Sequence, residues 1–234
     1  MMHNSPVPFR YQSKEDDPYS SHSVILARVG AGAGKRLLDV GSAQGGLAMR
    51  FRERGFRVTC IECDPVWAAA AQDKCDEMIC ADLDQPLAKL AGEFDVIVYG
   101  DILEHLKNPL AVFRQLNQYL VPGGQIIVSV PNIAHLYVRL KLLAGHFDYM
   151  DRGIMDRTHL RFFTRATFRS FLKEARVRPV EIIGTPVPLY LVWPAAAEAG
   201  WLRGLQKINA TLARNWRTLF GYQLVAVCRP EGAG

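Results

Sequence analysis

The chain has 234 residues, of which 49% are apolar and 22% charged, with a formal net charge of +5. That composition belongs to one folded domain, with or without an appendage, and excludes a disordered, collagen-like or coiled-coil chain. No apolar run reaches 18 residues, five cysteines are an odd number for a disulfide framework, and the first 17 residues are polar and carry acids, so a cytoplasmic protein without a membrane span is expected.

Residues 1–20 read as a polar arm, followed by a short helix over Ser21–Val29 and a small-residue linker, Gly30–Gly34. A regular alternation then begins. Short apolar runs at Arg36–Val40, Arg57–Glu62, Met78–Ala81, Asp95–Tyr99 and Gln125–Val130 predict strands. Helical stretches at Gly46–Arg54, Pro65–Lys74 and Pro109–Leu120 separate them, the last ended by the turn Val121-Pro122-Gly123-Gly124. Alternating strands and helices with continuously apolar strands predict an α/β fold with a mostly parallel sheet covered on both faces.

Beyond residue 132 the pattern changes. Ile133–Leu143 reads as helix and Ala144–His159 as irregular chain. Thr164 is the expected N-cap of a helix running to Ala175, and Val180–Ile183 is the next strand. Residues 186–217 are punctuated by proline and then helical, and Leu219–Cys228 is the last strand. Three segments follow: an arm or lid over 1–35, a core over 36–132, and a substrate side over 133–234 belonging to the same domain.

The first chemical signal is Leu37-Leu38-Asp39-Val40-Gly41-Ser42-Ala43-Gln44-Gly45-Gly46, an apolar strand that enters a glycine-containing turn and then a helix. Glycine permits a sharp turn and close approach of a ligand, and the helix start offers open N–H groups. Glu62 ends the second strand, where a carboxylate can hold the two hydroxyls of a ribose. A dinucleotide pyrophosphate would be repelled by Asp39, whereas a ligand with an amino group and a positive sulfur would be attracted. Cys60 and Cys63 form a C-x-x-C without a second pair and read as small residues at a strand end rather than a zinc site.

On these residues the sequence resembles the class I S-adenosylmethionine-dependent methyltransferases, with a Rossmann-like, doubly wound, seven-stranded sheet whose last strand is antiparallel. The resemblance implies a cofactor set of Asp39, Gly41, Ser42, Gly45, Glu62, Cys63, Asp82, Leu83, Gly100 and Asp101. In it Glu62 meets the ribose, Asp82 the adenine amino group with Leu83 at the ring, and Gly100 and Asp101 lie beneath the methionine part. Ala43 stands where the usual middle glycine does, which is compatible with the motif if its φ is negative.

A second cluster is Asp101-Ile102-Leu103-Glu104-His105, whose first, fourth and fifth residues share a face on a helical turn. Two carboxylates and an imidazole there suit either a hard divalent cation or a general base for a hydroxyl. The cluster and His159 resemble the E-x-x-E-H motif of ubiquinone-pathway and small-RNA O-methyltransferases. That resemblance implies Asp101, Glu104, His105 and His159 as ligands of Mg²⁺ or Mn²⁺. His105, His135 and His159 are the candidate proton acceptors.

The run from Pro131 to Phe171 resembles bacterial methyltransferase-domain proteins of polysaccharide and secondary-metabolite pathways, implying O-methylation of a sugar or another hydroxylated small molecule. RNA 2′-O-methylation and a non-catalytic cofactor-binding partner protein are the alternatives; no DNA partner is expected. Tyr19, Ser21 and His22 of the arm, with Tyr137, Phe147 and Tyr149, are candidates to cover the pocket. Residues 201–219 carry Leu202, Leu205, Ile208, Leu212, Trp216 and Leu219 at helical spacing, which suits packing on the domain, a homodimer contact or a peripheral membrane contact.

Charge is distributed unevenly. Residues 1–132 hold 13 Lys/Arg and 16 Asp/Glu, a net of −3, whereas residues 133–234 hold 15 and 7, a net of +8. Arg152, Arg157, Arg161, Arg165 and Arg169 lie close together on the substrate side and are either a solvated face or the mark of an anionic acceptor such as a lipid- or nucleotide-linked sugar.

Overall fold

The computed structural model describes residues 17–196 and 199–231. The strands are β1 (Arg36–Val40), β2 (Arg57–Glu62), β3 (Glu77–Cys80), β4 (Phe94–Gly100), β5 (Leu120–Pro131), β6 (Val177–Thr185) and β7 (Gln223–Pro230). They form one sheet in the order β3-β2-β1-β4-β5-β7-β6. Every pairing among β1 to β5 is parallel, and β7 runs antiparallel to both of its neighbours. The order reverses between β1 and β4, the position at which open α/β sheets leave a crevice at the carboxyl ends of their strands. Among the described residues no helix is long and apolar enough to cross a membrane.

The continuous apolar runs are explained by burial on both faces. One face packs Leu38, Val40, Ile97, Tyr99, Ile126 and Val128 against Phe113 and Leu116 of α4 (Pro109–Asn117) and Phe168 and Leu172 of α6 (Arg165–Glu174). The other packs Leu37, Val58, Val96, Val98 and Ile127 against α1 (Ser21–Val29) and α2 (Gly46–Glu53). Each fully buried Phe or Leu contributes roughly 1.5–3 kcal/mol, so these alternating positions hold the layers together. Local signals set the helix starts. Asp64 caps α3 (Pro65–Ala71) by accepting from the amides of Val66 and Trp67. Thr164 and Thr167 each accept from the other's amide at the start of α6, as its sequence suggests.

Several boundaries differ from the sequence reading, β6 for one being longer than Val180–Ile183, and three of them have a clear physical reason. The Val121–Gly124 turn lies within β5: pairing with β4 skips from Phe94↔Leu120 to Val96↔Gln125, so the extra residues loop out and the strand rejoins the same neighbour. The helix after β5 is α5 (Leu136–Leu143), beginning later than residue 133 because His135 is its N-cap, with Nδ1 accepting from the Tyr137 amide at 3.2 Å. The last strand starts at Gln223 rather than Leu219, since residues 217–220 form a helical turn, α9 (Arg217–Phe220).

That turn is held from outside. The Asn132 amide Nδ2 donates to the carbonyls of Arg217, Thr218 and Gly221 at 3.4, 3.2 and 2.7 Å, and Asn132 Oδ1 accepts from Ala134 N. The remaining helices are α7 (Leu189–Val192) and α8 (Gly200–Asn215). Leu202, Gln206, Ala210 and Ala213 of α8 face the domain, while Trp201, Leu205 and Ile208 remain exposed on another side.

Asn132 is fully buried, so replacing it with Ala leaves carbonyls without a donor. Asn132→Ala should lower stability by about 2–3 kcal/mol, read as a lower urea midpoint at unchanged slope. Asn132→Asp should cost at least as much at neutral pH, because a carboxylate facing those carbonyls has no proton to donate.

Candidate functional site

A cavity of about 1450 Å³ opens at the carboxyl ends of β1, β2, β4 and β5. Asp39, Gly41, Ser42, Glu62, Cys63, Gly100 and Asp101 lie in its wall, which brings most of the expected cofactor residues together. The loop after β1 needs unusual backbone. Gly41 has φ 75° and a Cβ there would meet the Ile102 side chain at 2.7 Å; Gly45 has φ 73° and caps α2. Ala43 departs from expectation, with φ at 47° in the left-handed region. That conformation costs an L-residue about 1–2 kcal/mol, and one interaction that holds it is the Ala43 amide donating to Glu62 Oε2 at 2.8 Å.

Glu62 does more than await a ligand. Its other oxygen, Oε1, accepts from the amides of Cys63 and Asp64 at 2.9 and 3.0 Å. One carboxylate thus ties the loop after β1 to the loop after β2. Asp39 is buried beneath the same loop, and burial, with Cys75 and Glu62 nearby, pushes its carboxyl up to about 7. Asp82 and Leu83 are not in the cavity wall: Asp82 is exposed and accepts from the Asp84 amide, and Leu83 packs on the main core. Trp67, in the first turn of α3, lines the cavity beside Cys63 and was missed. An aromatic just after the Glu62-Cys63-Asp64 turn was the available signal.

Asp101 is also left-handed, with φ 54°. Its carboxylate accepts from Ser129 Oγ at 2.7 Å, Gln223 Nε2 at 2.6 Å and Ser21 Oγ at 3.3 Å. It therefore joins β5, β7 and α1 at the cavity floor. Among the described residues the group able to hold a metal is Glu104, His105 and His159, whose ligand atoms lie within 4.8 Å of one another; Asp101, expected as a fourth member, is not in it.

The two histidines meet across 53 intervening residues because two loops are stitched together. The Glu104 carbonyl, in the 3₁₀ turn Leu103–His105, accepts from the amides of Leu160 and Arg161 at 2.8 and 3.0 Å. The rings pack edge to face with centroids 4.9 Å apart. His159 Nδ1 lies 3.1 Å from the Ile154 carbonyl and His105 Nδ1 lies 3.3 Å from the Thr158 carbonyl. A carbonyl only accepts, so in each neutral ring Nδ1 carries the proton and Nε2 the lone pair. Burial lowers the His159 pKa from its ordinary value, and neighbouring His105 lowers it further.

His135 is arranged differently. Its Nδ1 accepts from the Tyr137 amide, its ring bonds the Phe220 backbone, and burial brings its pKa down to about 4. His135 lines the cavity and caps α5 through Nδ1. Of the expected cover, His22 and Tyr137 line the cavity, as does Ser20. Phe147 and Tyr149 instead pack against each other outside it, at 5.6 Å. The arm residues 1–16 lie outside the described residues. Of the five arginines, only Arg152 lines the cavity; Arg157 pairs with Asp151 and Arg161 donates to the Lys107 carbonyl. The outer wall is apolar, built from Tyr137 and Leu140 of α5, Leu189–Val192 of α7 with Trp193, and Leu205, Ile208 and Leu212 of α8.

A family model described as a methyltransferase domain matches residues 19–181. The ubiquinone biosynthesis O-methyltransferase of Pseudomonas paraeruginosa is 33% identical over 160 residues, covering 65% of this chain and 68% of that protein. Among solved structures, the Burkholderia thailandensis 1,6-didemethyltoxoflavin-N1-methyltransferase, with S-adenosylhomocysteine bound, is similar with a TM-score of 0.56 at 19% identity, over 90% of this chain and 76% of that one. The [4+2]-cyclase SpnF is similar with a TM-score of 0.60 at 19% identity, over 90% and 80%. With the reversed sheet order and the glycine loop over a buried acid, the match across most of the chain assigns it: the protein belongs to the methyltransferase-domain family and is a class I S-adenosylmethionine-dependent methyltransferase.

Proposed function

We propose that this methyltransferase transfers the cofactor's methyl group to a hydroxyl oxygen of a small molecule, with His159 as the proton acceptor. The observation that carries the reading is the Glu104–His105–His159 group in the cavity wall, with His159 held in the tautomer whose Nε2 can take a proton. The sulfonium methyl is already activated, so the protein's tasks are alignment and deprotonation. The methyl passes in line from sulfur to oxygen as the S–CH₃ bond breaks. The hydroxyl proton goes to His159 Nε2, and the buried Glu104 carboxylate stabilises the imidazolium. The products are a methyl ether and S-adenosylhomocysteine.

The same three residues favour a second reading, a bound Mg²⁺ or Mn²⁺. Both rings donate Nδ1–H to backbone carbonyls, the outer support that metal-ligating imidazoles have. Such a cation would lower the pKa of the acceptor hydroxyl. The relatives' printed name, an O-methyltransferase, supports oxygen as the acceptor atom. The apolar outer wall favours an acceptor with an apolar body over a bare sugar. At the cofactor end, Asp39 faces the positively charged methionine part and Glu62 the ribose.

His159→Ala should lower kcat about 10²–10⁴-fold with cofactor binding by calorimetry unchanged. The His159 pKa lies below the ordinary 6.5, so the acid limb of wild-type kcat/KM should be centred below pH 6.5. An acid limb centred at or above 6.5 would remove His159 from this role. Chelation that abolishes activity, restored by Mn²⁺, would select the metal reading. Glu62→Gln should weaken cofactor binding roughly tenfold or more, because a side-chain NH₂ would face backbone amides. The folded-state pKa of Asp39 is raised from 3.8 to about 7, so the cofactor-free protein should lose stability as pH rises through that window. Asp39→Asn should flatten this profile in thermal unfolding while weakening cofactor binding.

A further inference from the structure

Three arginines converge on a second, separate pocket. It has a volume of about 280 Å³ and lies where α6, the edge strand β6 and α9 meet, lined by Arg165, Arg169, Pro179, Val180, Glu181, Ile182 and Arg217. None of these residues lines the large cavity. We propose that this pocket binds a phosphate group, as a soluble phosphate ester or a lipid headgroup.

The argument is one of donors without acceptors. A guanidinium offers five N–H donors and accepts nothing. Arg165 Nε is buried and has no hydrogen-bond partner among the described residues. A buried donor left unmade is costly, so its place is explained by an acceptor that arrives with a ligand. Arg217 uses its Nε on the Arg214 carbonyl, which fixes the stem and leaves the planar end to the pocket. By contrast, Arg114, Arg161 and Arg229 each donate a terminal nitrogen to a backbone carbonyl.

The single acid in the lining does not neutralise the trio. Glu181 is gripped by Arg28 through two bonds, Nε to Oε2 at 2.8 Å and Nη2 to Oε1 at 3.1 Å. That pair accounts for its own charge and leaves three positive groups facing one small space. Arg165 and Arg169, four residues apart, sit on one side of α6, Arg165 in the first turn, where the helix dipole also favours an anion. Converging guanidinium forks match the oxygens of a phosphate better than those of a single carboxylate. The volume suits a headgroup or phosphoester end rather than a whole nucleotide. The excess of basic residues beyond residue 132 thereby acquires a location apart from the acceptor cavity.

The test uses the whole protein at low ionic strength. Inorganic phosphate, titrated against equal ionic strength of chloride, should raise the unfolding temperature, and Arg165→Gln/Arg169→Gln should weaken the apparent affinity at least about tenfold. Arg169→Gln alone, at an exposed position, should weaken it in the same direction and guards against misfolding of the double variant. Cofactor binding should be unchanged in both. Co-sedimentation with phosphatidic acid vesicles but not phosphatidylcholine vesicles, lost in the double variant, identifies a lipid headgroup as the source. Protection by phosphate without vesicle binding identifies a soluble ester. No protection by phosphate with no vesicle binding, or a response equal in wild type and double variant, overturns the proposal.

Discussion

The reversal of strand order between β1 and β4 is the constraint from which the site follows. The chain lays β2 and β3 on one side of β1 and returns to place β4 on the other. The connections after β1 and β4 therefore leave in opposite directions and cannot cover the gap between them. A crevice results, and both faces of the sheet beneath it are already filled by apolar side chains. What remains at its floor is polar: Asp39, Glu62 and Asp101, each buried or half-buried and each at or next to a strand end. Carboxylates are tolerated there because backbone amides and side-chain donors meet two of them. The third, Asp39, is held towards its neutral form by burial.

The substrate side is assembled by a different logic. Few of its contacts are local. The Asn132 side chain fastens the turn before β7, the Asp101 carboxylate draws α1, β5 and β7 together, and the Glu104 carbonyl holds the 160–161 amides. These three polar anchors carry an irregular segment over the crevice and deliver His159 to Glu104 and His105. The same segment distributes its arginines. Arg152 goes to the cavity, Arg157 to Asp151, Arg161 to a carbonyl, and Arg165 and Arg169 to a pocket on the sheet edge. The charge excess of the second half of the chain is thus divided among several separate places.

The core was legible in the sequence because its signals are local and repeated. An apolar run of five or six residues buried on both faces reads as a strand whatever surrounds it. Thr164 announces its helix from within a few residues. The glycine loop with Asp39 and Glu62 was legible for the same reason: a left-handed turn and a carboxylate at a strand end are features of short peptides. The left-handed φ of Ala43 was not legible locally, since the bond its amide makes is to Glu62, 19 residues away. Asp101 was misplaced for a related reason. Its spacing to Glu104 suits one face of a helix, but the residue sits in a left-handed turn before that helix begins, and its carboxylate points to Ser129 and Gln223.

The sequence by itself determined the class of fold and the family, since each rests on a pattern confined to a strand, a turn or one crossover. Only the tertiary structure decided what each cavity histidine is bonded to. His135 and His159 both line the cavity and look alike in the sequence, yet His135 caps α5 through Nδ1, whereas His159 turns Nδ1 to the Ile154 carbonyl and is grouped with Glu104 and His105. That grouping depends on loops stitched together over some fifty residues, and no local pattern records bonds of that kind.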